Sequence, residues 1–331
     1  MRWSKNILPL NSLPSQPINV NKVHLDTDLG GDIDDLCALA MLLRWMEDIH
    51  LTGITTVGDI NGKRAGYVRY VLGLEGRNYI PVAAGADISQ GFYRYELGLP
   101  PEERYWPKPI VLSPNALEES IQLLKNSIEQ GATIIGIGPY TNLYLLDIQY
   151  PGILMQAKLF LMGGYVYPPR SGFPNWGKDM DFNIQVDVKS AKHVIQNSNP
   201  TLIPLSVTVE TSLRRAYLDD LRMSGALGQL IAQQAEAFTE DEKMEMRYGE
   251  TCEGLPQDII NFQHDPLACA IALGWDEGIE IKELPLILEE KDGLLTECIH
   301  TSGKPTRIVT KVDGARFNKF WIDEITNGCN A

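Results

Sequence analysis

The stretch HLDTDLGGDIDDLCALAML, His24 to Leu42, places five aspartates within ten residues: Asp26, Asp28, Asp32, Asp34 and Asp35. The apolar segment Val23–Asp28 reads as a strand, and Leu36–Met46, apolar nearly all round, reads as a buried helix. Like charge is therefore crowded where a core should begin. Asp26 and Asp28 lie two apart on a strand and share a face. Asp34 and Asp35 open the helix, whose N-terminus favours anions, and Gly30 and Gly31 let the chain turn tightly between them. Packed carboxylates hold their protons unless a cation is present. Oxygen-only ligands select Ca2+ or Mg2+ over zinc. Taken singly, each aspartate has an ordinary role: Asp32 as an N-cap, Asp34 and Asp35 as answers to the helix dipole. The whole cluster, directly after a buried strand, points to a metal cleft.

The rest of the chain alternates strands and helices. Strands are expected at His50–Val57, 80–84, Ala132–Ile137, Lys158–Met162 and Thr201–Val207. Helices are expected at Lys63–Leu74, after Ser113 with Pro114 in its first position, at Lys189–Gln196, near Leu218–Phe238 and at Pro266–Leu273. From about 280 to 325, short strands lead to a last helix. This order implies an α/β fold: an open, mostly parallel, mixed Rossmann-like sheet with helices on both faces. Residues 1–22 read as a surface extension and 23–331 as one domain, since no low-complexity linker or repeat divides them. Asp87–Pro109 has no clear period, as expected of a lid or binding loop. Ligands of such sheets bind beyond the carboxyl ends of the strands. Asp28, Asp59, Thr141, the stretch after Met162 and His264–Asp265 all sit at those ends.

Composition narrows the function classes. A net charge of -14 argues against nucleic acid as a partner and favours cations. The five cysteines are odd in number, widely spaced and without a CxxC pair, so structural zinc and a disulfide framework are both unexpected. A reducing compartment, the cytoplasm, is the simplest setting. No apolar run approaches a membrane span.

An EF-hand loop starting at Asp26 fails, because Gly30 and Cys37 occupy ligand positions. HLDTDL also resembles the start of a haloacid-dehalogenase phosphatase, with Asp26 as nucleophile. The Lys and acidic pair of that family have only a faint counterpart in VGDINGK.

A third pattern covers more of the chain. DTDLGGDIDD, ITTVGD, GPYTN, FLMGG, DFNIQVD and HDPLA occur in that order between Val23 and about Leu273. Together they resemble the nucleoside hydrolase family, of the inosine–uridine-preferring type in the broad sense. The resemblance implies the nucleoside hydrolase fold and Ca2+-dependent hydrolysis of the N-glycosidic bond of ribonucleosides. It implies Asp28 as metal ligand and general base, with Asp35, the carbonyl of Thr141 and Asp265 as further ligands. Asp34 would contact the ribose hydroxyls. Asp59, Asn175, Asp181 and Asn183 would hold the sugar, with Met162 against its face, and His264 would help the leaving base. It also implies a homodimer or homotetramer.

The chain departs from the family pattern in four places. Asp59 stands for Asn, Asp181 stands for a longer Glu, the aspartate motif has two extra residues, and the stretch between Met162 and Asn175 is long. These departures keep open a nucleoside- or ribose-binding protein of the same fold without turnover. His24, inside a strand, is expected to be structural. Trp176, Tyr93, Tyr95, Trp106 and Tyr248 lie in irregular stretches, where packing is the ordinary role and stacking on a base the functional one.

Overall fold

A computed structural model describes residues 21–45, 49–90 and 98–327. Its strands are β1 (Asn21–Thr27), β2 (Ile49–Thr56), β3 (Val82–Ala84), β4 (Thr133–Gly136), β5 (Lys158–Met162), β6 (Thr201–Ile203), β7 (Ser212–Arg214), β8 (Ile259–Phe262), β9 (Glu280–Lys291), β10 (Leu294–Ile299) and β11 (Lys304–Lys311). Its α-helices are α1 (Asp34–Arg44), α2 (Lys63–Leu74), α3 (Glu102–Tyr105), α4 (Leu117–Glu129), α5 (Thr141–Gln149), α6 (Phe182–Gln185), α7 (Val188–Gln196), α8 (Leu205–Thr208), α9 (Leu218–Met223), α10 (Ala226–Glu242), α11 (His264–Leu273) and α12 (Gly314–Asn327).

Nine strands form one sheet in the order β10-β9-β11-β6-β5-β4-β1-β2-β3. β1 lies between β2 and β4, parallel to both. β11 continues the parallel set beside β6, and β9 runs against both of its neighbours. The expected mostly parallel, mixed sheet is what forms. β7 and β8 make a separate antiparallel pair.

Strand alternation explains the two cores. On β5, Phe160 and Met162 enter one hydrophobic cluster, while Leu159 and Leu161 enter the other, across the sheet. Both faces are buried, which is why these strands read as nearly continuous apolar runs. α1 is buried along its whole length, as its unbroken apolar sequence requires. Among the described residues no helix is long and apolar enough to cross a membrane.

Four segments depart from expectation. The strand expected over Thr201–Val207 stops at Ile203. Pro204 has no N–H to offer the ladder, and its carbonyl instead accepts from Val207 N at 3.0 Å, opening α8. The helix expected after Ser113 begins only at Leu117. Asn115 holds the chain extended before it, bridging Ala84 N and Ala84 O on β3 at 2.6 and 2.9 Å. Leu218–Phe238 is two helices, broken at Gly225, whose φ of 91° suits a glycine. The expected lid is anchored over its described part. Tyr105 and Trp106 are buried, Tyr105 Oη donates to Asp241 at 2.7 Å, and Trp106 stacks on Tyr67 at 4.1 Å. Tyr93 and Tyr95 lie outside the described residues, as do residues 1–20 of the extension and Met46 of the expected first helix.

Candidate active site

β1 ends at Thr27, and the turn that follows delivers the aspartates. Gly30 has φ +115°, and a Cβ there would lie 2.6 Å from the Tyr67 ring, so the turn needs glycine on two counts. α1 then starts at Asp34, with Asp34 and Asp35 in its first turn. α11 packs against α1 and carries Asp265 in its own first turn. Two helix N-termini thus bring Asp34, Asp35 and Asp265 together, with one carboxylate oxygen from each within 4.8 Å of the others.

All three are buried. Burial, followed by mutual repulsion, holds their carboxyls well above the usual range, despite the favourable helix dipoles. Asp28 is raised by burial too, while the Arg64 guanidinium pulls it back down. Secondary contacts orient the cluster: Thr27 Oγ1 donates to Asp35 Oδ1, and Asp265 N donates to Asp34 Oδ2 at 3.3 Å. The donors are all oxygen and Arg64 offsets their repulsion only in part, so the set fits a hard divalent cation.

The cluster forms one end of a cavity of about 360 Å³. Asp28, Asp32, Asp34, Asp35, Asp265 and Arg64 make that end polar, and Met162, Trp176, Met180, Phe182 and Leu205 make the rest largely apolar. His264 and Asn183 also face it. His264 Nδ1 and Thr208 Oγ1 are 2.6 Å apart, and burial pushes the imidazole down to about 3, so the ring is neutral at ordinary pH. Asn183 Nδ2 donates to Ile137 O at 2.8 Å and Met162 O at 3.2 Å, joining the ends of β4 and β5.

The structure brings Asp28, Asp34, Asp35, Met162, Asn183, His264 and Asp265 to this cavity. Four expected residues are placed elsewhere. Asp59 caps α2: its carboxylate accepts from Arg64 N at 2.8 Å, Ala65 N at 2.9 Å and Thr56 Oγ1 at 2.7 Å. Thr141 donates its hydroxyl to Asp187 at 2.6 Å, and the residue of this segment that lines the cavity is Ile137, four residues earlier. Asn175 is exposed. The tight turn in which Trp176 N donates to Pro174 O at 2.8 Å presents Trp176 instead. Asp181 accepts from Gly164 N at 2.6 Å and caps α6, and burial and then Glu297 raise its carboxyl to about 7.

Asp26 is buried away from the cavity, accepting from Thr55 Oγ1 at 2.6 Å and Asn142 Nδ2 at 2.8 Å. A phosphatase nucleophile cannot work from there. Asp32 stands at the mouth, where Asn261 Nδ2 donates to it. His24 is structural, between Ser127 Oγ at 2.9 Å and Thr55 Oγ1 at 3.0 Å.

Arg64 is the main residue that the motifs miss. Its signal is periodicity: Arg64, Val68 and Val71 share the buried face of α2, and a lone arginine on such a face needs a polar destination.

Comparison with known proteins identifies the family and the fold. The family model for inosine-uridine preferring nucleoside hydrolase matches residues 23–319. A non-specific ribonucleoside hydrolase of Salmonella paratyphi A is 29% identical over 217 residues, 62% of this chain and 68% of the relative. An uncharacterized protein of Schizosaccharomyces pombe is 30% identical over 211 residues, 59% of this chain and 64% of its own length. Among solved structures, a purine-preferring ribonucleoside hydrolase from Gardnerella vaginalis superposes with a TM-score of 0.73 at 20% identity, covering 93% of this chain and 99% of the other. A plant nucleoside hydrolase superposes at 0.71 and 17% identity, covering 92% and 99%.

Proposed function

The chain belongs to the inosine-uridine preferring nucleoside hydrolase family, whose members are N-glycosyl hydrolases, and we propose that it splits ribonucleosides into ribose and free base with Ca2+ as cofactor. The observation that supports this reading is the convergence of Asp34, Asp35 and Asp265 in a cavity that Asp28 also lines and whose remaining lining is largely apolar.

Asp28, Asp35 and Asp265 would hold the ion, and Ile137, which lines the cavity where Thr141 does not, would add a main-chain carbonyl. When bound, such an ion lowers the pKa of a water and grips sugar hydroxyls. Asp28 would take the proton from the attacking water. Asp34 would accept hydrogen bonds from the ribose hydroxyls. The transition state of N-riboside cleavage carries positive charge on the sugar, which fixed carboxylates stabilise. Trp176, Leu205 and Phe182 line the cavity and would give the departing base an apolar seat. His264 is neutral, so it would help the base leave by a hydrogen bond, not as an imidazolium acid.

Incubating the protein with a nucleoside panel and Ca2+ and assaying reducing sugar tests this. We expect turnover on the order of 10 s⁻¹, abolished by Asp28→Ala. A binding protein without turnover is the second reading, favoured by the placement of Asp59, Asn175 and Asp181 outside the cavity. Calorimetric binding of ribose with no sugar released from any nucleoside would establish it instead.

A further inference from the structure

We propose that Arg64 is a substrate-binding residue that donates a hydrogen bond to one hydroxyl of the bound sugar. This rests on the nucleoside-hydrolysing reading of the same site.

The argument starts from how the guanidinium is held. Arg64 is only 2% exposed and lines the cavity beside Asp28. Nε donates to Gly58 O at 2.9 Å, and Nη1 donates to Asp28 O and, at 3.2 Å, to Leu29 O. These are main-chain acceptors, so the group makes no hydrogen bond with the Asp28 carboxylate. Nη2 has no hydrogen-bond partner among the described residues. The fork is thus fixed on three sides with two donor protons left over, at the polar end of a cavity. Asp59 completes the arrangement by binding Arg64 N at 2.8 Å and so fixing the first turn of α2. The carboxylate expected to hold the sugar positions an arginine there instead. A cationic donor among carboxylates suits a hydroxyl, which accepts from Arg64 while giving its own proton to an aspartate. An anionic substrate is disfavoured, because five aspartates share that end.

The test measures kcat/KM of wild type, Arg64→Gln and Arg64→Lys on a ribonucleoside and on its 2′-, 3′- and 5′-deoxy analogues. Arg64→Gln should lose roughly 10- to 100-fold on the parent, as when a charged hydrogen-bond partner is removed. On one deoxy analogue, the one lacking the contacted hydroxyl, it should lose less than about threefold. Arg64→Lys should recover part of the loss on the parent. An equal loss on the parent and all three analogues overturns the proposal and leaves a purely structural arginine, with the hydrolase reading intact. If wild type releases no sugar from any nucleoside, that reading fails by itself, and ribose and 2-deoxyribose titrations decide Arg64. Equal ribose affinity in wild type and Arg64→Gln, or no binding to wild type, overturns the contact.

Discussion

At the scale of single residues, the site is a set of carboxylates held in place against their own repulsion. Asp34, Asp35 and Asp265 are each pushed toward protonation by burial and by one another. Asp265→Asn should therefore leave the metal-free protein unchanged or up to about 2 kcal/mol more stable, since one buried charge is removed. The same variant should lose most of the upward shift in melting temperature that Ca2+ gives the wild type; a shift about as large as in wild type would argue against Asp265 as a ligand. A ligand present at a hundred times its Kd adds about 2.7 kcal/mol, a readily measured shift. Gly138 offers a second test. A Cβ there would lie 2.8 Å from Asp28 Oδ1 and from Val57 Cγ1. Gly138→Ala should displace the Asp28 carboxylate and lower kcat at least tenfold, while circular dichroism shows the fold retained. The crowding of Asp28, Asp34 and Asp35 is legible in the sequence because runs of buried like charge have few structural uses, whereas Asp265, a single aspartate far along the chain, is reached only through the family resemblance. Asp59 and Asp181 sit outside the cavity because an aspartate just ahead of a helix accepts from its first-turn amides as readily as it meets a ligand.

At the scale of elements, α1 and α11 matter most, because the distance between their first turns is the width of the metal cleft. Their apolar sequences announce burial, and the 3.6-residue period places the aspartates at their tips. α2 is the less obvious contributor. Its bounds are those the sequence implies, yet its role as carrier of Arg64 depends on which face turns to the loop after β1. The segment before α4 shows the same limit. Ser113 and Pro114 have the chemistry of a helix start, but Asn115 spends its amide on β3 and delays the helix by a turn. The Asp87–Pro109 stretch reads as a lid from its composition, and its described part from residue 98 on is held as a strap. Trp106 is 3% exposed, stacked on Tyr67, whose ring in turn covers Gly30. Trp106→Ala should cost about 3–5 kcal/mol in urea unfolding, the range for emptying a buried aromatic site, and should weaken activity through the loosened Gly30 turn. A cost near zero would show the strap to be dispensable.

At the scale of the whole molecule, the sheet gathers groups from distant stretches of chain and sets their protonation. His24 lies wholly buried between Ser127 and Thr55, and burial lowers its imidazole from 6.5 to about 3. Between those values the unfolded chain binds a proton that the folded one refuses. Stability from this group is therefore complete above about pH 6.5 and falls with pH toward 3. Relative to His24→Gln, the wild type should lose up to about 1.4 kcal/mol per pH unit from 6.5 down to 4; parallel pH profiles would refute it. Asp181 has the opposite sign. Its carboxyl, raised to about 7, adds stability that is full below about 4 and lost as pH rises through 7. By itself the sequence determined the α/β class, the mostly parallel sheet, the end of the sheet where the cavity lies and the aspartates that crowd there. Those follow from periodicity and charge, which are local properties of the chain. Only the tertiary structure decided that Arg64 and Trp176 enter the cavity while Asp59, Thr141, Asn175 and Asp181 do not. Whether a polar side chain meets a ligand or a neighbouring backbone amide depends on which elements pack beside it, and sequence spacing does not carry that information.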